Sequence, residues 1–182
     1  IAERKIIMKL GKFKKLTAAL AVCAVMASAL PVVPNMVSAA SNIISNSTFD
    51  SGITGWSTYK ESGGVCSLST ENGCLALTVS NVGKVNYAVQ VFYDIVPLYQ
   101  NGVYRLKYDI SSSTDRYIEG MIQQNGGTYQ AYTWKGLELT SVPQTVDYEF
   151  TMKAETDIMS KLVFNCGIQE KHEGVLPEHK IY

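Results

Sequence analysis

Residues 42–56, NIISNSTFDSGITGW, decide the reading of the fold. The apolar pair Ile43-Ile44 predicts a short strand over residues 42–45, and Asn46, Ser47 and Thr48 predict a turn. Phe49 then precedes the acidic Asp50, and Gly52 and Gly55 punctuate the approach to Trp56. Strand-forming residues beside glycine-marked turns and a large aromatic are how an all-β domain opens its first sheet. Phe49 and Trp56 are expected to pack inward, because a turn-anchored Trp next to a Phe gains most from burial.

Upstream of this run the chain reads as a leader. Lys9, Lys12, Lys14 and Lys15 are followed by an uncharged apolar stretch over 16–30, and Val37-Ser38-Ala39 supplies small residues at a cleavage site. This predicts a signal peptide over residues 8–39, cut after Ala39. Pro31 and Pro34 close the apolar run short of the roughly 20 residues a membrane span requires. Residues 1–7 precede the first Met, carry Glu3, Arg4 and Lys5, and are expected to lie outside the fold. Val22 stands before Cys23 where a lipidation site needs a small residue, so Cys23 reads as part of the signal core.

Residues 40–182 are the size of one domain. They hold 10 Lys and Arg against 15 Asp and Glu, so the formal neutrality of the 182-residue chain comes from its leader and the remainder is near −5. An acidic surface without a basic cluster excludes nucleic acid and anionic membrane as natural partners, since both need cations against phosphate. Export permits disulfides, but Cys66, Cys74 and Cys166 are odd in number. Cys66 and Cys74 flank the turn at 71–73 without facing one another squarely, and the pairing stays open. His172 and His179 have no ligand spacing that specifies zinc.

Downstream the pattern is strands and turns throughout. Strands are predicted over 64–69, 74–79, 86–95, 103–111, 116–124, 129–135, 144–153 and 161–166. Asn72-Gly73, Asn101-Gly102 and Asn125-Gly126-Gly127 supply the left-handed residues of hairpin reversals. No stretch keeps a 3.6-residue period. The expected fold is an all-β sandwich of jelly-roll type. A further alternating strand begins at Lys180-Ile181-Tyr182, and the domain is expected to be clipped within it. Alternation sorts the strands into faces. Gln90, Phe92 and Asp94 oppose Val89, Val91 and Tyr93. Tyr117, Glu119, Met121, Gln123 and Asn125 oppose Ile118, Gly120 and Ile122, while Val163 and Asn165 oppose Leu162, Phe164 and Cys166. Tyr87, Tyr104, Tyr108 and Tyr148 are expected to serve sheet packing.

A face rich in amides and carboxylates is also what a solvated sheet requires. Its particular chemistry suits sugars, whose hydroxyls both donate and accept as amides do, and whose C–H faces stack on aromatic rings. The opening run, with its Asn, Phe-Asp and Gly-Trp, resembles carbohydrate-binding modules of families 4, 9 and 22, most closely family 4. The resemblance covers residues 42–182 and implies a galactose-binding-like jelly roll in a secreted glycoside hydrolase. The module would bind single chains of amorphous cellulose, β-glucan or xylan without catalysing anything, and a cellulase or xylanase domain would follow downstream. By that resemblance Tyr59, three residues after the Gly-Trp, lines a cleft. In Gln124-Asn125-Gly126 with Tyr129, Asn125 hydrogen-bonds sugar and Tyr129 stacks on it; Asn165, after Phe164, is a further contact. Gln90, Asp94, Glu119 and Gln123 complete the candidate face. Glu119 stands where the best-known relative has Arg, and Asp94 where it has Asn, which would alter sugar preference.

No cofactor is expected to be required. Relatives often hold a structural calcium through oxygens near the first strand and a terminal Asp, which makes Thr48 a candidate ligand. Two other classes remain. Glu119 with Asp94 could be a glycosidase acid pair if they stood about 5–9.5 Å apart, although no catalytic motif surrounds them. An adhesion or assembly domain would share the sandwich without affinity for plant glucans.

Overall fold

The computed structural model describes residues 4–10, 14–16 and 41–168. In chain order its strands are β1 (Arg4–Leu10), β2 (Lys14–Leu16), β3 (Trp56–Lys60), β4 (Gly64–Glu71), β5 (Cys74–Val82), β6 (Val89–Tyr93), β7 (Val103–Ser112), β8 (Arg116–Gln123), β9 (Ala131–Leu139), β10 (Gln144–Thr151) and β11 (Lys161–Asn165), with one 3-10 turn at Asn86–Ala88 before β6. One sheet has the order β10-β7-β1-β5-β4, with β2 also against β7; the other has the order β3-β6-β11-β8-β9. All the pairings are antiparallel. The predicted all-β sandwich is what forms.

The two sheets meet through the apolar half of each alternation. Leu75, Leu77, Val79, Leu106, Tyr108 and Ile110 of the first sheet face Val89, Val91, Ile118, Ile122, Leu162 and Phe164 of the second, all buried. Tyr108 of β7 meets Phe164 of β11 edge-on at 5.2 Å, an arrangement that adds about 0.5–1.5 kcal/mol to the burial itself. Phe49 and Trp56 join this core as expected, both 3% exposed. Their rings lie 5.7 Å apart, and Trp56 packs edge-on to Tyr93 at 5.4 Å.

The β4–β5 hairpin turns at Asn72 and Gly73, both left-handed at φ 51° and 71°, as a two-residue hairpin with right-handed strand twist requires. Other boundaries move. Residues 42–45 form no strand beyond a bridge at Asn42, because side chains there capture the backbone. Asn46 donates to the carbonyls of Gly52 and Thr54 and accepts from Ser51 N, and Asn42 donates to Ser47 Oγ. Such local bonds compete with a sheet ladder. The strand predicted from 129 begins instead at Ala131. Gly126, Gly127 and Tyr129 all take positive φ, and Tyr129 N closes a turn onto Gly126 O at 3.1 Å.

The largest difference is at the start of the chain. Residues 4–10, expected outside the fold, occupy the centre of the first sheet as β1, paired from Arg4↔Val79 to Met8↔Leu75 on one side and from Ile6↔Ser112 to Leu10↔Tyr108 on the other. Their alternation fits a slot with one buried side. Ile6 and Met8 are fully buried, Arg4 and Lys9 are exposed, and Lys5 reaches Glu71.

The register also excludes a Cys66–Cys74 disulfide. Cys66 lies opposite Val79 and Cys74 opposite Glu71, a separation on the order of 16 Å along the strands. A disulfide needs Cα atoms about 4.4–6.8 Å apart. All three cysteines of the domain are free, Cys66 and Cys166 buried and Cys74 half-buried. Burial pushes the Cys66 thiol up, and pushes the Cys166 thiol up to about 12. A thiol reagent at pH 8 is therefore expected to modify Cys74 in the native protein and the other two only after unfolding. Peptide mapping that shows equal labelling of all three would contradict the burial of Cys66 and Cys166.

Candidate functional site

The outward face of the second sheet is where the polar half of each alternation collects. Cross-strand partners define a row that spans all five strands: Tyr59 of β3 opposite Gln90 of β6, Gln90 opposite Asn165 of β11, Asn165 opposite Glu119 of β8, and Glu119 opposite Gly136 of β9. Paired residues point to the same side. A second row, Ser57, Phe92, Val163, Met121 and Trp134, runs beside it. Gly136 makes room for the Tyr117 ring at the end of the first row, because a Cβ there would meet Tyr117 Oη at 2.1 Å.

A cleft of about 570 Å³ lies over these rows, lined by Tyr59, Glu61, Tyr87, Gln90, Phe92, Gln123, Tyr129, Lys161 and Asn165. That volume is within the range of small-ligand sites. Tyr59, Tyr87 and Tyr129 are 45%, 45% and 55% exposed, so three rings stand free on its walls. Gln123 and Asn165 are buried in its floor. Asn165 Nδ2 donates to Glu119 at 3.0 Å, Asn86 Nδ2 donates to the same oxygen at 2.9 Å, and Gln90 Nε2 donates to Asn165 Oδ1 at 2.8 Å. Tyr59 Oη donates to Glu61 at 2.6 Å, and that bond raises the Tyr59 pKa.

Of the eight residues selected from sequence, Tyr59, Gln90, Gln123, Tyr129 and Asn165 line this cleft. Glu119 is 8% exposed and lies beneath, as an acceptor for the floor amides. Asn125 and Asp94 are drawn aside. Asn125 Nδ2 donates to Asp94 at 3.1 Å, and Asn125 lines a separate hollow of about 760 Å³ with Gln124, Gln130, Tyr132 and Asp157. The one ring lining that hollow, Tyr132, is half-buried and donates to Asp157 at 2.8 Å, whereas three exposed rings line the cleft over the rows. The Glu119–Asp94 acid pair does not assemble. Asp94 lies four residues beyond Gln90, the neighbour of Glu119's row, or about 13 Å along the strand, outside the span a glycosidase needs.

Lys161 is the main residue that the sequence reading passed over. Its ammonium sits 5.2 Å from the Phe92 ring and 5.4 Å from the Tyr129 ring, near enough for cation–π attraction. Burial lowers its pKa, and Asp94 opposes the shift. The alternation that selects Val163 and Asn165 also selects position 161, so the signal was present. Tyr87, expected as packing, stands on the rim because the 3-10 turn at Asn86–Ala88 lifts it out of β6.

Aromatic walls over an amide floor suit a glycan. The family model for carbohydrate-binding domains of type 4/9 matches residues 41–171. The chain belongs to that family. This carbohydrate-binding module is 33% identical over 115 residues to endoglucanase C of Cellulomonas fimi, a match covering 63% of the chain and 10% of the relative. It is 30% identical over 132 residues to a cellulose 1,4-beta-cellobiosidase of Acetivibrio thermocellus, covering 66% of the chain and 15% of the relative. The module therefore spans a small fraction of the curated relatives it matches. Its fold superposes on a family 4 carbohydrate-binding module with TM-score 0.65 at 22% identity, covering 69% of this chain and 89% of that one. It superposes on the N-terminal cellulose-binding domain of C. fimi β-1,4-glucanase C with TM-score 0.50 at 30% identity, covering 66% and 81%.

The candidate calcium ligand Thr48 donates from its Oγ1 to Asp50 at 2.6 Å. Among the described residues no three His, Cys, Asp or Glu gather to hold a metal.

Proposed function

We propose that the module binds a single chain of β-linked polysaccharide, glucan or xylan, in the cleft across β3, β6, β11 and β8, and tethers an attached glycoside hydrolase to it. The observation that carries this is the row Tyr59–Gln90–Asn165, where free rings flank preorganised amides. The rings stack on sugar C–H faces while the amides pair with equatorial hydroxyls. Lys161 adds a donor between Phe92 and Tyr129. A cleft with upright walls admits one chain, whereas a crystalline face calls for a flat aromatic platform. Tethering raises the local concentration of a catalyst at its substrate without new chemistry. Both curated relatives carry cellulase names, which supports a cellulose-like backbone.

Native affinity electrophoresis against hydroxyethylcellulose, lichenan, laminarin and xylan tests this. Retardation by at least one β-1,4-linked glycan is expected; no retardation by any overturns the reading, and release of reducing sugar would make the module an enzyme.

In this proposal the module is exported and residues 8–39 are removed after Ala39. Cleavage separates β1 from the domain and vacates the slot between β5 and β7. The described chain after β11 ends beside that slot. Ile168 N donates to Val82 O at 3.0 Å, and Arg4, Val82, Gly167 and Ile168 share one surface hollow. Residues 179–182, HKIY, repeat the sequence pattern of residues 4–7, RKII. Residues 179–182 lie outside the described residues.

A further inference from the structure

The floor of the cleft has a direction. Asparagine and glutamine each carry a carbonyl and an amine of nearly equal shape, so their neighbours decide which end faces which way. An ionised carboxylate can only accept. Glu119 takes hydrogen bonds from both Asn86 Nδ2 and Asn165 Nδ2. Asn165, having turned its amine toward Glu119, offers its carbonyl to Gln90. Gln90 must then give an N–H to Asn165, which leaves Gln90 Oε1 as an acceptor at the cleft surface. We propose that Glu119 is a positioning residue that sets the hydrogen-bond polarity of this cleft, so that Gln90 presents a carbonyl to a donating sugar hydroxyl. This rests on the glycan-binding reading above.

The burial of Glu119, at 8% exposed, supports the assignment, because the carboxylate is too deep to serve as a contact of its own. Two charge-assisted bonds hold it there, and such bonds are about twice as strong as neutral ones. The opposite sense would follow if position 119 could donate. Asn165 would turn its carbonyl toward 119 and its amine toward Gln90, and Gln90 would show the cleft only N–H groups.

Glu119→Met removes the acceptor at similar length, whereas Glu119→Gln keeps a carbonyl in the place of the one oxygen to which both amides bond. Glu119→Met is expected to lower affinity for the retained glycan about tenfold, because nothing then fixes the sense of Asn165 and Gln90. Glu119→Gln is expected to bind within a few-fold of the parent. A Glu119→Met variant that melts cooperatively and binds like the parent, or a Glu119→Gln variant that loses as much as Glu119→Met, overturns the proposal. The relay can also be read without ligand from the Gln90 side-chain amide resonances. One hydrogen-bonded proton is expected in the parent and in Glu119→Gln, and a changed pattern in Glu119→Met. If the parent binds no glycan, the functional reading fails; if the Gln90 resonances ignore position 119, the relay fails.

Discussion

A chain of residues 40–168 is expected to lose its cooperative unfolding transition, and a peptide of residues 4–10 added in trans is expected to restore it. β1 lies between β5 and β7, so its absence opens two sheet edges at the centre of the sandwich. It also removes Ile6 and Met8, both fully buried. Each such side chain contributes about 1.5–3 kcal/mol, and together they approach the 5–15 kcal/mol that typically holds a whole domain. Circular dichroism melts with and without peptide measure this. A peptide in which positions 6 and 8 are Lys should fail, since the slot has only one apolar side. A truncated chain that melts like the full one would show that the slot needs no occupant. In the chain of residues 40–182, a smaller dependence on peptide would show that residues 169–182 substitute for it.

The second large effect is on binding. Tyr129→Ala is expected to weaken glycan affinity by about 1–3 kcal/mol, the scale of a stacking aromatic in a recognition site. Stability should change little, because the ring is 55% exposed. Tyr129 holds φ at 54°, a conformation uncommon for a residue other than glycine. Alanine bears the same backbone cost, so the loss reports the ring. Strain kept at a binding residue is a reason to suspect function. Here it lifts the ring over Lys161 and the cleft floor. Tyr99→Ala serves as control, being similarly exposed at 48% but outside the cleft. Isothermal titration that finds equal affinity for the parent and Tyr129→Ala would remove Tyr129 from the site.

The rest of the fold was legible wherever period-two alternation met turn residues. Residues 74–79, 103–111 and 161–166 read correctly as strands because one face is buried and the other wet. The faces sorted in residues 89–94, 117–125 and 161–166 are the faces observed, which is why Gln90 and Asn165 fall on one side of the sheet. Three features escaped. Residues 42–45 look like a strand, yet Asn42 and Asn46 spend their side chains on local turns. Residues 4–10 carry the same alternation as any strand, but their Lys-rich continuation reads as a leader. Asn125, placed in the cleft by the resemblance, bonds Asp94 and lines another hollow.

Sequence by itself determined the all-β class, the hairpin at Asn72-Gly73 and the division of each strand into an apolar and a polar face, because those follow from neighbours two residues apart and from local backbone preference. Only the tertiary structure decided which polar residues share a cleft, because cross-strand register joins Tyr59, Gln90, Asn165 and Glu119 over more than a hundred residues of chain. It also decided that the buried Glu119 orients amides and that Lys161 lies between two rings. Both roles depend on partners from other strands, which no local pattern contains.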